Sequence, residues 1–594
     1  MKNKKRKTIT YFLESVMAFA TAIAIAMVSD YGITGIELMI PCVFALCFIL
    51  YNKTFGLYTG EYKTKAFSDL KFTGSLGVIM ATAYVVGSKI DLDERVFNSF
   101  GAVDAIYILF LIPFFVSILH IVFFSADEGS LKINNTDSDS SASVMIWPKV
   151  SVYSMLMLIC WMPYYLTYFP GGIGKDDFEC AKMCLGLIPW TNHHPVFFTA
   201  ILNIFIKLFG GTDLTAAFGL MAFCQMLILS IVLSLVLIWL EHSNAIKGFV
   251  YVSLAFFALH PIVAMYSIYI TKDVLFACVV IVLTMFLIDL CRTIPNNESY
   301  LKRKSTLAIL GVLSFLTIIS RNNGIFMIGA LAICMFVVLK QYRKQILIVF
   351  AIVFALNGIY KYVLWPAMGI EKQSFVESAS IPLTQIAYTI YTDGDIDEHD
   401  RLYLESIMPF EKVKAEFEPG YVDTYKFSES FNTKIIDSDP GKLIKTWANL
   451  LTDNFGRYVE AYLFETCGYW HYGISNTVAT EGVQPNDLGI EATDIIEMVS
   501  GHSLHGILVE LVLIARKLPV LCLFSQMAIE FLTVIMVARQ YIRRKKKLYI
   551  IAMTPFVALW VSIMIATPAY CLFRYMCPVF FLWPVLIEEF CQQN

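Results

Sequence analysis

The stretch Val196-Phe-Phe-Thr199-Ala-Ile-Leu-Asn203-Ile-Phe-Ile-Lys207-Leu-Phe-Gly210 is apolar enough to enter a bilayer. Its 15 residues nevertheless cover only about 22 Å as a helix, short of a hydrocarbon core of about 30 Å. Thr199, Asn203 and Lys207 recur at i, i+4 and i+8, which draws one hydrophilic stripe down an otherwise greasy helix. Such a helix is expected to lie along the membrane interface rather than cross it. Every loop downstream changes sides if it crosses, so the distribution of basic residues tests the choice.

Apolar runs long enough to span are read at 9–29, 36–52, 70–88, 101–124, 150–169, 213–240, 247–264, 273–291, 305–320, 323–340, 345–364, 518–539, 548–567 and 571–590, fourteen in all. With 196–210 left at the interface, the N-terminus and the loops near 52–71, 125–149, 241–247, 292–304, 340–344 and 539–547 share one side and carry 25 Lys and Arg. The short opposite loops, setting aside the large external segment 365–517, carry eight: Lys89, Arg95, Lys175, Lys182, Lys207, Lys272, Arg321 and Arg574. If the segment crossed, the clusters at 292–304, 340–344 and 539–547 would all face outward, against the positive-inside rule. Both termini are therefore expected in the cytoplasm.

Composition agrees with a lipid-embedded chain. Of 594 residues 57% are hydrophobic and 16% charged, with a mean hydropathy of +0.65, whereas soluble domains are nearer a quarter charged. The net charge of −3 gives no sign of a nucleic-acid partner. The basic run Lys2 to Lys7 before the first apolar stretch lacks a following small-residue cleavage site, so that stretch reads as a retained anchor. The 14 cysteines lie mostly in apolar runs without metal-ligand spacing, and Cys180 and Cys184, one helical turn apart, read as packing. The expectation is an all-α polytopic membrane protein divided into a four-helix region 1–124, a disordered cytoplasmic linker 125–149 rich in Ser and Asp, a membrane core 150–364, an external domain 365–517 and a three-helix region 518–594.

Chemistry-bearing residues gather in the loops expected outside. The loop 170–212 opens Pro170-Gly-Gly-Ile-Gly-Lys-Asp176-Asp177 and continues through Trp190-Thr-Asn-His193-His194-Pro195. Adjacent carboxylates at a membrane surface are costly to desolvate. One of them, in a partly apolar cleft, can act as a general base toward a hydroxyl, or both can join His193 and His194 around a divalent cation. Equally, an Asp pair can simply open a helix, favoured by its N-terminal dipole. Lys272-Asp273 begins one span, Arg321-Asn-Asn-Gly324 separates two others, and Arg574-Tyr575 begins the last. Arg suits phosphate through its planar fork, although terminal basic residues also snorkel to the interface. In the external domain, Glu377-Ser-Ala-Ser-Ile-Pro-Leu-Thr-Gln385 reads as a surface helix with Pro382 in its first turn. The aromatics of Gly468-Tyr469-Trp470-His471 suit stacking on a sugar or anchoring among headgroups.

This arrangement resembles the GT-C superfamily of membrane glycosyltransferases, which includes protein O-mannosyltransferases and the aminoarabinose transferase of lipid A. The likeness rests on Asp176-Asp177, then His193-His194-Pro195, a helix ending Leu208-Phe-Gly210, Lys272-Asp273 and Arg321 to Gly324. It covers about 150–340, and 548–590 more loosely. The set His-His-Pro, Thr-Lys-Asp, Ser-Ile-Pro-Leu-Thr-Gln, Gly-Tyr-Trp and Arg-Tyr-Met-Cys-Pro also resembles a family of bacterial multi-spanning proteins whose catalysis is only inferred. The resemblance implies a bacterial cell-membrane enzyme that moves a sugar from a polyprenyl-phosphate donor to an extracytoplasmic glycan, lipid or protein. Asp176, Asp177 and Asp273 would be catalytic, and Lys272, Arg321 and Arg574 would hold the donor phosphate. His193, His194, Gln385, Tyr469 and Trp470 would bind substrate, with the need for a divalent cation left open. Four extra spans before the core, and an external domain ahead of the last three spans rather than after them, depart from that pattern. A transporter or flippase of envelope precursors, a polymerase or ligase of envelope glycans, and a non-catalytic scaffold are the competing readings.

Overall fold

The computed structural model describes residues 2–29, 33–59, 62–128, 146–474, 478, 480–518 and 520–592, which are predominantly helical. Its one sheet among these residues is a two-residue hairpin pairing Ile90–Asp91 with Val96–Phe97. Nine helices among the described residues are long and apolar enough to cross a membrane, or ten if the bent pair Lys247–Leu259 and Pro261–Ile268 is one span. This is a multi-pass helical membrane protein. The fourteen apolar runs exceed that number for identifiable reasons. Lys304–Ser320 and Gly324–Val338 have 17 and 15 residues. The run 518–539 is divided between the short 3-10 turn Leu521–Ser525 and the helix Met527–Arg543, and 571–590 is broken into Cys577–Phe581 and Trp583–Cys591. The expected linker also shrinks: helices extend to Asp127 and from Ile146, and residues 129–145, with the disorder expected there, lie outside the described residues.

Antiparallel contacts settle the segment 196–210. The helix Ile146–Thr167 pairs with Leu214–His242 through Tyr153 Oη to Glu241 Oε1 at 2.6 Å, Ser154 to Ser234 at 3.0 Å and Tyr165 Oη to the Gly219 carbonyl at 2.9 Å. One helix therefore ends where the other begins, and the loop 168–213 leaves and returns at one end of the bundle. The helix Val196–Leu208 does not cross. Its polar stripe is only partly solvated. Thr199 is buried and donates to Cys180 Sγ at 3.4 Å, while Lys207 is exposed. Cys180 and Cys184 pack on this helix and are free thiols.

Polar contacts concentrate in two layers at opposite ends of the helices. Lys272–Thr293 carries Lys272 and Asp273 at one end and Asp289 and Arg292 at the other, about 30 Å apart. In the first layer Arg321 meets Asp273, so Lys304–Ser320 finishes there. In the second, Arg292 pairs with Glu589, Tyr541 donates to Glu589 at 2.8 Å, and Lys149 pairs with Glu241. Tyr342 donates to the Glu298 carbonyl at 2.9 Å, which returns Gly324–Val338 to that second end. The bent pair breaks by 54° at His260, where Pro261 can supply no N–H to continue the helix. It too runs between layers, because Ser243 touches Arg292 and Thr271 bonds Asp273.

The segment 375–467 has a hydrophobic core of its own, in which Val376, Leu383, Ile386, Leu404, Leu450 and Phe464 are buried. The expected surface helix is instead the centre of this unit. Ser380–Tyr391 holds Pro382 in its first turn, but Leu383 through Ile390 are all buried. This unit rests on the first layer through Gly420, whose carbonyl accepts from the Tyr570 N–H at 3.1 Å, and through Glu418 to Arg95 at 3.7 Å.

Because the loop 168–213 leaves and returns at one end, cysteines introduced at Gly186→Cys and Asp213→Cys should react from the same side with a membrane-impermeant maleimide. Peptide-resolved mass spectrometry of intact cells and inverted vesicles reads this directly. Labelling from opposite sides would mean that 196–208 crosses.

Candidate functional site

Three local devices build the site. Gly172 and Gly174 let the loop lie directly on Tyr269: a Cβ on Gly172 would stand 2.3 Å from Tyr269 Cδ2, and one on Gly174 2.7 Å from its hydroxyl. Gly172 exchanges backbone bonds with residues 268–270 in an isolated bridge, its N–H to Ile268 O at 3.1 Å and its carbonyl from Ile270 N at 2.8 Å. This seats the first turn of Lys175–Cys184 beside the first turn of Lys272–Thr293. Thr271 caps the latter. At the third device, Gly324 approaches the preceding helix so closely that a Cβ would sit 2.1 Å from Thr317 O. That tight turn holds Arg321 against the same point.

The result is a continuous chain of charges. Arg321 Nη1 lies 2.9 Å from Asp273 Oδ1, and Arg574 bridges Asp273 Oδ2 at 3.7 Å and Asp176 Oδ2 at 3.3 Å. Lys272 Nζ donates to Asp176 Oδ2 at 2.9 Å and lies 3.0 Å from His194 Nδ1. As an ammonium can only donate, Nδ1 is the acceptor and the imidazole proton sits on Nε2. The His193 and His194 rings are 4.3 Å apart, and His193 Nδ1 is 3.6 Å from Glu377, which Lys426 binds at 2.7 Å. Lys426 in turn holds Asp423 at 3.0 Å. Tyr575 covers the Arg321 guanidinium with its ring, 4.2 Å away.

The two adjacent carboxylates differ sharply. Asp177 is 4% exposed and its Oδ2 accepts the Gly174 N–H at 2.9 Å, closing the first turn as a helix cap. Burial, reinforced by the neighbouring Asp176 charge, pushes its carboxyl up to about 7. Burial also acts on Asp176, but Lys272 and then Arg574 outweigh it and hold that carboxyl well below the usual range. The Asp176 side chain remains 35% exposed, so it is the member of the pair a ligand can reach. Burial, followed by the charge of Lys272, keeps His194 well below the usual imidazole value and therefore neutral.

Asp176 stands in a wall shared by two cavities. The larger, about 880 Å³, is lined by Glu179, His193, His194, Glu371, Glu377 and Asp423 among others. The second, about 520 Å³, presents Arg574, Arg516 and the rings of Tyr266, Tyr269 and Tyr421. Lys175, Asp176 and Asp423 face both. The lone pairs of Asp176 Oδ2 are directed at Lys272 and Arg574. The one group of three with metal-ligand spacing among the described residues is elsewhere, at Asp397, His399 and Asp400 in the 375–467 unit.

Of the residues singled out in the sequence, Asp176, Asp273, Lys272, Arg321, Arg574, His193 and His194 come together, with Asp177 behind them as the cap. Gln385 and Trp470 are engaged elsewhere, and the Tyr469 hydroxyl is spent on Thr567 and the Ala569 carbonyl. Gln385 bonds Trp447 at 2.7 Å and the Tyr458 carbonyl at 3.0 Å inside the 375–467 core. Tyr469 is fully buried, and Trp470 donates to Thr466 at 3.0 Å. Asp423, Lys426 and Glu377 extend the charge chain without any sequence spacing that ties them to it. Tyr575 follows Arg574 directly and was legible as its neighbour only.

Fold and site together define a multi-pass helical membrane protein with a paired, partly accessible charge cluster at one end of its bundle. Residues 189–594 match a family of unknown function, DUF6020, and the chain belongs to that family. The match contains His193, His194, Lys272, Asp273, Arg321 and Arg574, whereas Asp176 and Asp177 precede it. No curated protein and no solved structure matches the chain.

Two measurements probe the cluster. Asp177 binds its proton more tightly folded, near 7, than at its ordinary value of 3.8, so stability is fully present below 3.8 and declines as pH rises to about 7. Asp177→Asn keeps a capping oxygen and should remove that decline, worth on the order of 4 kcal/mol, in thermal unfolding across pH 4–8. Arg321→Gln leaves the fully buried Asp273 with the Thr271 hydroxyl and, for its charge, the longer Arg574 contact. It should lower stability by roughly 3 kcal/mol, a loss smaller in Arg321→Lys.

Proposed function

We propose that the protein is a glycosyltransferase of GT-C type, using a polyprenyl-phosphate sugar as donor and an extracytoplasmic hydroxyl as acceptor. The observation that carries this reading is Asp176, bonded to Lys272 and Arg574 and facing two cavities at once. A transferase must bring two substrates to one carboxylate. The cavity with Arg516, Arg574 and three tyrosines suits a phosphate joined to a lipid and a sugar. The carboxylate-lined cavity suits a hydroxylated acceptor.

In the proposed step the acceptor hydroxyl attacks the anomeric carbon, its proton passes to Asp176, and the C–O bond to the lipid phosphate breaks. The electron pair leaves on the phosphate, where Arg574 and Lys272 offset the charge. A phosphate that draws those two cations toward itself weakens their hold on Asp176 and raises its proton affinity when a base is needed. Arg321 and Asp273 act behind them, fixing Arg574. Asp177, committed to its cap, is a positioning residue in this scheme. The cavity-facing side would be extracytoplasmic, with both termini in the cytoplasm. Fourteen crossings require the shorter helices 304–320 and 324–338 and the broken segments to count as spans. The bacterial envelope is the setting that the donor chemistry implies.

One observation favours a second reading, as a transporter. Glu530, on Met527–Arg543, and His260, at the break of the bent pair, are buried in the helix layer, their carboxylate and ring atoms without hydrogen-bond partners among the described residues. Intramembrane ionisable groups beside a broken helix are common in solute pathways.

Asp176→Asn at matched membrane abundance should abolish one defined sugar from envelope glycans, lipids or glycoproteins, detected by mass spectrometry. Glu530→Gln should leave that sugar in place. An envelope unchanged by Asp176→Asn but altered by Glu530→Gln would favour transport.

A further inference from the structure

At the end of the bundle opposite the candidate site, the N-terminal helices meet the family core across a buried ionic seam. Arg543, from Met527–Arg543, is 8% exposed in its side chain and reaches Asp69 of Lys63–Gly87 at 2.7 Å and Asp127 of Ala102–Asp127 at 2.7 Å. Tyr62 accepts from Arg543 at 2.6 Å and donates to Asp127 at 3.0 Å. Arg539 takes the other Asp69 oxygen at 2.8 Å. These contacts use up both carboxylates.

They do not use up the cations. A cavity of about 670 Å³ opens here, lined by Lys65, Asp69, Asp127, Arg539, Arg543 and Arg544 with Ser68 between them. Four positive side chains face two negative ones. Among the described residues Arg539 keeps a buried Nε–H with no hydrogen-bond partner, Arg544 has the Glu589 carbonyl at 3.3 Å, and Lys65, 65% exposed, reaches Asp127 at 3.7 Å. The chain runs straight on into Lys545-Lys546-Lys547. A polar hollow with surplus guanidinium donors, at the ends of membrane-spanning helices and beside a run of lysines, has the chemistry of a phosphate site.

We propose that this cavity binds a phosphate-bearing ligand, an anionic phospholipid headgroup or a free phosphate compound, between the helices 63–87 and 102–127 and the helix 527–543. Such a ligand would bridge the helices that precede the family match to those within it. The proposal is independent of the activity proposed for the opposite end.

The test uses the full chain in neutral detergent, titrated with phosphatidylglycerol, phosphatidylcholine or inorganic phosphate and followed by native mass spectrometry and thermal unfolding. Phosphatidylglycerol should bind and stabilise the wild type, and Lys65→Gln/Arg544→Gln, which spares the Asp69 and Asp127 pairs with Arg543, should bind it about 30-fold more weakly. Lys65→Gln alone, at an exposed position, should show part of that loss. Stabilisation by phosphatidylglycerol and not by inorganic phosphate assigns a lipid headgroup; equal protection by inorganic phosphate, lost in the double variant, assigns a free phosphate compound. Equal binding of phosphatidylglycerol and phosphatidylcholine with no protection by phosphate, or affinities unchanged in both variants, overturns the proposal.

Discussion

A carboxylate cannot enter a low-dielectric layer unpaired, and Asp273 is wholly buried in the first turn of a membrane-spanning helix. Its compensation comes from two distant places in the chain, Arg321 in a turn between helices and Arg574 ahead of the last helical segments. Pairing at this one point fixes three helix ends in space. Arg574 then has a second edge to offer Asp176, and Lys272 closes the ring from the neighbouring position on the same helix. Removing any partner leaves a buried charge, so the arrangement is strongly specified even if its net contribution to stability is small.

The same constraint operates at the other end, with Arg292 on Glu589 and Arg543 on Asp69 and Asp127. Helices of unequal length therefore run between two polar layers. This explains how 15- and 17-residue helices and a helix broken at Pro261 share a bundle with one of 29 residues. The polar layers, rather than a common helix length, set the ends.

Asp176 and Asp177 illustrate how environment overrides residue type. Both are aspartates in one first turn, yet two cations stabilise the charge of Asp176 while burial and that same charge raise the proton affinity of Asp177. The expectation of a helix-opening carboxylate describes Asp177, while Asp176 is the one that faces the cavities.

Hydropathy and the spacing of Lys and Arg determined a polytopic helical chain, the grouping of its loops and the non-crossing character of 196–208, because those depend on transfer energy and local periodicity. Short polar motifs at helix ends also named most of the charge cluster. Tertiary structure alone decided that Gln385 and Trp470 pack away from it and that the Tyr469 hydroxyl is spent on Thr567 and Ala569, since a motif says nothing about which face of a domain it will occupy. It alone brought Glu377, Asp423 and Lys426 to the site, from a separate unit with its own core. It alone chose which of two adjacent aspartates meets the cavities, because that follows from the direction each side chain takes out of one helical turn.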